Sequence, residues 1–198
     1  SAAWVNNYRK SIKQPERLIN KTLLIPDIYT DQLTDELLTE SYDYDFKLST
    51  DRKTVEFKDE IAFVTIDNPP VNATSTAVRA GLSEAVQAVA GSSAKCAIIV
   101  CKGRTFVAGG DITEFDKPPM EPQLPDVCDA IEASQIPFIA AMHGTVLGGG
   151  FEIALACAWR LCLPDTRFGL PEVNIGLIPG AGGTQRLPRL AGVRNAIE

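Results

Sequence analysis

Histidine is almost absent from the sequence, since His143 is the only one in 198 residues. Catalytic triads with a histidine base, and metal sites built from several imidazoles, would therefore depend on this one residue. A single histidine is more often a core residue whose ring is hydrogen-bonded by its neighbours. We expect that structural position for His143 and leave a direct role in chemistry open.

Cysteine occurs in an odd number, and its spacing fits neither a zinc knuckle nor a CxxC redox pair. The five residues stand mostly in apolar stretches: Cys96, Cys101, Cys128, Cys157 and Cys162. We therefore expect buried free thiols, no metal, and an intracellular, reducing compartment. The sequence does not distinguish between the cytoplasm, the mitochondrion and the peroxisome.

Long apolar runs and an excess of basic residues are missing as well. No apolar run reaches the length of a membrane-spanning helix, so we expect no membrane span. Lys and Arg number 19 against 25 Asp and Glu, which gives a net charge of −6. Such a surface has no overall attraction for nucleic acid, so we expect no nucleic-acid partner. An anionic ligand would need a local binding site.

The sequence also lacks the glycine motifs of the common nucleotide and hydrolase sites. It has no GxGxxG that opens a helix after a strand, no GxxxxGK[ST] and no GxSxG. These absences argue against a Rossmann dinucleotide site, a phosphate-binding P-loop and the nucleophile elbow of an α/β-hydrolase.

The chain divides into two parts of different composition. Residues 1–21 are basic and place apolar residues at helical spacing, which predicts an amphipathic helix. Residues 22–46 carry seven acids and no basic residue, and residues 34–40 predict a capped acidic turn or short helix. We expect residues 1–53 to be an N-terminal extension of unknown role, an arm or docking segment.

From residue 54 onward, strand and helix patterns alternate. Residues 54–67 alternate apolar and polar positions and predict a hairpin that turns near Lys58 and Asp59. The later patterns predict a helix over 75–90, a strand over 96–103, a loop over 118–125, a helix over 127–134, one buried strand over 137–147, a helix from about 151, a strand over 160–164 and then a long Gly/Pro-rich segment. This alternation indicates the α/β class with right-handed crossovers.

Three glycine-rich segments would let the backbone approach a ligand closely. They are residues 106–111, 148–150 and 179–183. The second lies at the start of a predicted helix, where free N–H groups favour negative charge. Each segment, taken alone, is also explained by a tight turn or by close packing.

Two acids, Glu152 and Glu172, stand beside these glycines in otherwise apolar sequence. Helix-dipole complementarity, worth at most about 1 kcal/mol, would explain Glu152, and a solvated loop would explain Glu172. Alternatively, apolar surroundings raise the pKa of a carboxyl group and suit it to proton transfer near neutral pH. Two backbone-donor sites with two carboxylates would stabilise an oxyanion while moving a proton. The residues alone leave both explanations open.

A family resemblance rests on three stretches: FVAGGDITEF at 106–115, HGTVLGGGFEIALAC at 143–157 and FGLPEVNIGLIPGAGGTQRLPRLAG at 168–192. The order and spacing of these stretches, and the positions of both acids, resemble the enoyl-CoA hydratase/isomerase (crotonase) superfamily. The resemblance covers residues 54–198. The stretch NPPVNATSTAVRAGL at 68–82 looks most like the N-terminal hydratase module of multifunctional fatty-acid β-oxidation enzymes, in which a 3-hydroxyacyl-CoA dehydrogenase follows. The resemblance implies a crotonase-like spiral of ββα units.

By the same resemblance, the protein is expected to be an enoyl-CoA hydratase, a lyase that adds water across the C2–C3 double bond of a trans-2-enoyl-CoA. The backbone N–H groups of the family's oxyanion hole fall on Gly110 and Gly149. The two family glutamates fall on Glu152, which we assign to activating the water, and Glu172, which we assign to delivering the proton at C2.

The resemblance implies further substrate contacts and no cofactor. Ala73 and Ala108 lie where family backbones contact CoA, and the Gly180 N–H lies where the family orients the second glutamate or its water. Coenzyme A enters as the thioester substrate, and a backbone oxyanion hole takes the place of a metal Lewis acid.

Two alternatives remain at this stage. Glu172 alone could move a proton between C2 and C4, which would make the protein a Δ3,Δ2-enoyl-CoA isomerase. A non-catalytic module that binds CoA or serves assembly is the alternative from another class. Because the family core continues with further helices, the resemblance also implies that 54–198 is an incomplete core, truncated at its C-terminus. Its partner would be further copies in a homo-oligomer or the remainder of a multifunctional chain.

Overall fold

The computed structural model describes residues 53–115 and 117–197. The predictions for residues 1–52, an amphipathic helix and an acidic turn within an N-terminal extension, lie outside the described residues.

The described chain begins with the hairpin that its alternating sequence predicts. β1 (Lys53–Lys58) pairs with β2 (Ile61–Ile66) in antiparallel register. Along β2, half-buried and buried residues alternate, because successive side chains of a strand point to opposite faces. In the turn, Asp59 adopts a left-handed conformation with φ of 55°, which Asp tolerates better than most residues. The predicted hairpin is confirmed.

α1 (Thr76–Ala90) forms where the apolar stripe predicts a helix. The Ser75 hydroxyl caps it and accepts a hydrogen bond from the Val78 N–H at 3.4 Å. Its buried apolar residues recur at helical spacing and pack on the sheet: Val78, Leu82, Ala85 and Val89. The predicted helix is confirmed, with Ser75 as its cap.

Six more strands and four more helices follow. The strands are β3 (Cys96–Cys101), β4 (Val107–Ala108), β5 (Phe138–Met142), β6 (Thr145–Leu147), β7 (Trp159–Cys162) and β8 (Arg167–Gly169). The helices are α2 (Leu124–Ala133), α3 (Gly149–Ala156), α4 (Gly183–Ala191) and α5 (Val193–Ile197). Two 3₁₀ turns span Ile112–Glu114 and Glu172–Ile175.

The strands form two sheets, and successive turns of the chain contribute to both. The larger sheet has the order β1-β2-β3-β5-β7 and is parallel from β2 onward. The smaller sheet has the order β4-β6-β8 and is parallel throughout. The pairs β3–β4, β5–β6 and β7–β8 each place one strand in either sheet before the next helix. The α/β class and the spiral of ββα units are therefore confirmed.

Several predicted elements differ from those observed. The stretch 137–147, predicted as one strand, is divided into β5 and β6, which belong to different sheets. Between them Gly144 has φ of 58°, and a Cβ there would lie 2.1 Å from the Arg104 carbonyl oxygen, so the chain changes sheets at a glycine. α2 begins inside the predicted loop, with proline in its first turn, where proline is tolerated. The Gly/Pro-rich segment contains α4, and α5 follows it; we predicted neither helix.

The core joins the larger sheet to α1, α2 and α3. Its largest fully buried side chains include Phe106 and Phe138. All five cysteines are free, and burial is confirmed for three of them: Cys101, Cys128 and Cys157. Cys96 is half-buried, and the prediction is wrong for Cys162, which is exposed on β7. Within the described residues, no helix has the length and apolar character that crossing a membrane requires.

Candidate active site

The carboxyl ends of the three strands of the smaller sheet meet at one edge. β4 leads into Gly110, β6 into Gly149 and β8 into Glu172. Ligands of open α/β sheets bind at the carboxyl ends of parallel strands. The Gly148 N–H donates to the Gly169 carbonyl oxygen at 3.0 Å and ties two of these ends together. The structure thus brings three of the predicted site residues to one edge.

Two backbone N–H groups at this edge are available to a ligand. Gly110 lies in the loop after β4, and its N–H donates no hydrogen bond within the described residues. Gly149 is the first residue of α3, and the first N–H groups of a helix have no partner inside the helix. Donors of this kind favour a developing negative charge on a ligand oxygen.

Gly148 lets three groups approach one another closely. Its φ of 51° and ψ of −128° favour glycine. A Cβ at this position would lie 3.6 Å from Gly109 Cα and 3.0 Å from Glu172 Oε1. Because glycine has no side chain, the loop after β4 and the carboxylate of Glu172 both reach the start of α3.

Glu152 lies in the first turn of α3 and is only 2% exposed. Its Oε1 accepts two hydrogen bonds of 2.8 Å, from the N–H groups of Ala181 and Gly183. Both of these bonds go to the same oxygen, which leaves Oε2 as the more accessible base. Helix-dipole complementarity alone does not account for a carboxylate that is buried and held in this way.

Burial is the main reason why the pKa of Glu152 is raised from its ordinary value of 4.5. The two backbone hydrogen bonds and the charge of Arg186 lower this pKa, while the charge of Glu172 raises it. The geometry agrees with this influence, because Glu172 Oε1 reaches Gly148, whose carbonyl oxygen accepts the Glu152 N–H at 3.0 Å. A raised pKa makes Glu152 a stronger base than an exposed glutamate.

Glu172 begins the 3₁₀ turn that follows β8. The N–H groups of Gly176 and Leu177 donate to its carbonyl oxygen, which fixes the backbone of the turn. Its side-chain Oε2 is buried and has no hydrogen-bond partner among the described residues. A buried carboxylate oxygen without a partner is unfavourable, so this atom is available to a water or a ligand.

Arg186 supports the turn that binds Glu152. Its Nη1 donates to the Ala181 carbonyl oxygen at 2.7 Å, and its Nη2 donates to Asp129 at 2.7 Å and Glu132 at 2.8 Å on α2. The arginine side chain is only 10% exposed, so these bonds are partly shielded from water. The N–H groups that hold Glu152 are thereby attached to α2.

The remaining predicted contact residues lie near this edge but show no direct sign of their roles. Ala108 is the last residue of β4. The Ala73 carbonyl oxygen accepts hydrogen bonds from the Asn68 side chain at 2.9 Å and the Ser75 N–H at 2.8 Å. Gly180 is exposed, and within the described ranges no hydrogen bond joins it to either glutamate. The contacts of these residues with substrate stay predictions.

His143 has the core position that we expected. It is 7% exposed and lies between β5 and β6. Its Nε2 lies 2.9 Å from the Gly103 carbonyl oxygen, while Nδ1 is buried and lacks a partner in the part of the chain that the structure describes. In that same part, no group of three or more His, Cys, Asp or Glu side chains could hold a metal ion.

Sequence reasoning missed the groups that hold Glu152. The resemblance assigned the Gly180 N–H of the run at 179–183 to Glu172 or its water, but it did not indicate that Ala181 and Gly183 would bind Glu152. Arg186 gave no signal, because its partners Asp129 and Glu132 lie more than fifty residues away along the chain.

Comparisons with known proteins identify the family. The family model described as enoyl-CoA hydratase/isomerase matches residues 56–198. The chain is 47% identical over 143 residues to the peroxisomal bifunctional enzyme of Danio rerio. This match covers 71% of this chain and 20% of the Danio rerio protein. The chain is 42% identical over 146 residues to a probable enoyl-CoA hydratase of Bacillus subtilis. That match covers 70% of this chain and 57% of the Bacillus subtilis protein. The chain thus spans a fifth of the first relative and little more than half of the second.

Solved structures show the same fold. DspI of Pseudomonas aeruginosa matches with a TM-score of 0.70 at 30% identity, over 77% of this chain and 66% of that chain. An enoyl-CoA hydratase from Bacillus anthracis matches with a TM-score of 0.68 at 30% identity, over 73% of this chain and 60% of that chain. These likenesses confirm the crotonase-like architecture. The family match, the relatives and the shared fold together show that this chain belongs to the enoyl-CoA hydratase/isomerase family.

Proposed function

We propose that this chain adds water across the C2–C3 double bond of a trans-2-enoyl-CoA in fatty-acid β-oxidation, as part of a multifunctional hydratase/3-hydroxyacyl-CoA dehydrogenase. One observation carries the proposal: two interacting carboxylates, Glu152 and Glu172, lie at the same sheet edge as the N–H groups of Gly110 and Gly149. The similarity to a peroxisomal bifunctional enzyme and to a probable enoyl-CoA hydratase supports it.

The two N–H groups act as the oxyanion hole. When water attacks C3, electron density moves through the double bond to the thioester oxygen, which becomes an enolate oxygen. Hydrogen bonds from Gly110 and Gly149 stabilise this charge more than they stabilise the neutral carbonyl. Removing one such donor typically costs about 2.7–4 kcal/mol of transition-state stabilisation.

The two carboxyl groups divide the proton transfers. Glu152 accepts a proton from the attacking water through Oε2, because Oε1 is bound by two N–H groups. Glu172 gives a proton to C2 of the enolate, and the product is a 3-hydroxyacyl-CoA. One proton moves from water to Glu152 and another from Glu172 to C2, so the total on the pair does not change. The starting arrangement returns once the proton passes from Glu152 to Glu172. We therefore treat the carboxyl groups as one coupled unit.

The support around Glu152 favours hydration over the alternatives. Isomerisation between C2 and C4 needs one proton carrier, for which Glu172 would suffice. A second carboxylate that is buried, bound by two N–H groups and backed by Arg186 is what holding and activating water requires. A non-catalytic module would not need a second carboxylate that is buried and held by two N–H groups.

The substrate and setting are proposed on the same basis. The backbones at Ala73 and Ala108 contact the CoA portion, and the Gly180 N–H orients Glu172 or the water. Coenzyme A is bound as the thioester substrate without a further cofactor. Five free thiols suit a reducing compartment inside the cell. The partners are the acyl-CoA substrate and either further copies of this chain or the remainder of a longer one.

Hydration of crotonyl-CoA tests the proposal, followed as loss of the conjugated thioester absorbance. Glu152→Gln and Glu172→Gln should each lower kcat by about 10²–10⁴-fold, the range of general acid–base catalysis. Glu60→Gln is the matched control, because Glu60 is an exposed acid whose side chain is 66% accessible. Turnover that survives both site substitutions would contradict the mechanism.

A further inference from the structure

Arg79, on α1, is a nearly buried cation at 9% exposure. A buried charge is tolerated only where its hydrogen bonds are satisfied. Its guanidinium donates to five acceptors: Pro122 O at 2.8 Å, Thr74 O at 2.8 Å, Glu114 Oε2 at 3.0 Å, Thr76 Oγ1 at 3.0 Å and Met120 O at 3.1 Å. Three of these acceptors are backbone carbonyls, so Arg79 fixes the path of the chain rather than only pairing with an acid.

One of these carbonyls belongs to Thr74, which lies between the two backbones of the proposed oxyanion hole. The Thr74 N–H and hydroxyl both donate to Gly109 O, at 3.0 and 3.4 Å. On its other side, Thr74 lies close to Gly149: if Gly149 carried a Cβ, that atom would be 3.2 Å from Thr74 Oγ1. Thr74 therefore contacts the residue before Gly110 and also the residue that provides the second N–H donor.

The ion pair between Arg79 and Glu114 attaches the same loop to α1. Glu114 ends the 3₁₀ turn that follows Gly110, and its Oε1 accepts the Thr76 N–H at 2.8 Å. Burial acts to raise the pKa of Glu114, but hydrogen bonds from Thr76 and Arg79 outweigh it and the net change is downward. The carboxylate is therefore charged beside the guanidinium.

Arg79 also acts on the far side of Gly149. Its bond to Pro122 holds the chain just before α2 begins at Leu124. The Leu124 side chain packs on Gly149, where an added Cβ would lie 2.6 Å from Leu124 Cδ2. One guanidinium is thus connected to both sides of the space between the two donors.

We propose that Arg79 is a positioning residue that, through Thr74 and together with Glu114, sets the spacing between the Gly110 and Gly149 N–H groups. The inference rests on the proposed function, because it assigns these N–H groups to the oxyanion hole. Spacing matters because each donor must lie about 2.7–3.1 Å from the oxyanion, and a displacement of about 1 Å can cost about 10²-fold in rate. None of the five hydrogen bonds of Arg79 goes to Gly110 or Gly149.

Arg79→Lys and Arg79→Met test the inference in the full 198-residue chain. Lysine keeps the charge but cannot reproduce the fork of donors. We expect kcat for crotonyl-CoA to fall about 10–100-fold, with KM changed less than about threefold, because the spacing affects the transition state more than substrate binding. Arg189→Met is the matched control and should leave both constants unchanged, since Arg189 is exposed and, among the described residues, bonds only to Gln185.

A spectroscopic measurement reads the oxyanion hole directly. Butyryl-CoA labelled with ¹³C at the thioester carbonyl is saturated at C2–C3, so it binds without hydration. Its carbonyl stretch should move to lower frequency on the unmodified chain, and this shift should become clearly smaller on Arg79→Lys. A merely structural role would lower the melting temperature without changing the carbonyl shift of the folded fraction. If Arg79→Met does not fold, the Arg79→Lys protein decides the question.

The outcomes separate this inference from the proposed function. A carbonyl shift that is lost in Arg79→Lys supports the positioning role even if the unmodified chain does not hydrate crotonyl-CoA. Hydration with an unchanged carbonyl shift and an unchanged kcat in folded Arg79→Lys overturns the positioning role alone. A raised KM at constant kcat also overturns it. No carbonyl shift on the unmodified chain contradicts the oxyanion hole, and with it both proposals.

Discussion

At the scale of single residues, the site depends on backbone N–H groups at least as much as on side chains. Gly110 and Gly149 offer N–H groups to a ligand, and Ala181 and Gly183 use theirs to hold Glu152. A backbone donor survives most substitutions, so its contribution has to be tested with proline, which removes the N–H.

Gly110→Pro should lower kcat for crotonyl-CoA about 10²–10³-fold, because it deletes one donor of the oxyanion hole. Gly110→Ala is the matched control, since it keeps the N–H and adds a Cβ 3.2 Å from the edge of the Phe115 ring. Phe115 is 52% exposed, so its ring can move aside. The measurement is steady-state kinetics on both variants, and equal losses for proline and alanine would contradict the assignment.

The sequence indicated some of these residues and could not indicate others. Glu152 and Glu172 stood out because a charged side chain in an apolar stretch needs an explanation. Ala181 and Arg79 did not, because a backbone N–H has no letter of its own and an arginine in a helix is usually on the surface. Their importance comes from partners that only the folded chain brings near, such as Glu152 for Ala181 and Pro122 for Arg79.

At the scale of elements, the decisive feature is the point where the chain leaves the larger sheet for the smaller one. β5 and β6 are separated only by His143 and Gly144. This change of sheet directs β6 toward the edge where Gly149 begins α3. The position of one N–H donor therefore depends on a glycine outside the site.

Gly144→Ala should destabilise the protein by more than about 1 kcal/mol, because it combines left-handed strain with a Cβ that would lie 2.1 Å from Arg104 O. Gly103→Ala is the matched control: φ there is 79°, but nothing lies within 4 Å of the added Cβ. Chemical denaturation of both variants gives the free energies of unfolding. Equal losses would show that the contact with Arg104 has no effect.

Local patterns predicted the elements whose signals are local. The alternation over 54–67 gave the hairpin, and the apolar stripe after Ser75 gave α1 with its cap. The division of 137–147 was missed because its apolar residues read as one strand, while the change of direction depends on a contact with Arg104, some forty residues earlier. α4 was missed because glycine and proline obscure a helix that the folded chain nevertheless forms.

At the scale of the whole molecule, the site places a cost on stability. Glu152 is buried, and burial raises its pKa above 4.5. Because the folded state keeps this proton at pH values where the unfolded chain has released it, the free energy of unfolding falls as pH rises from about 4.5 through the raised pKa. The catalytic base is therefore obtained at the expense of stability near neutral pH.

Glu152→Gln should remove this part of the pH dependence. Relative to the unmodified chain, its free energy of unfolding should increase between pH 4 and pH 8, even though its activity is lost. Denaturation curves at several pH values measure the difference, with Glu60→Gln as the exposed control. A difference that stays constant across this range would contradict the proposed cause of the pKa shift.

The central claim is that Glu152 and Glu172 act together on one water and one substrate, and a double-mutant cycle tests it most directly. The kcat for crotonyl-CoA is measured for Glu152→Gln, Glu172→Gln and the double variant. Residues that act as a unit give strongly non-additive losses. If the two acids act together, the double variant should be about as slow as the slower single variant. Losses that multiply, or a double variant that still turns over at the unmodified rate, would contradict it.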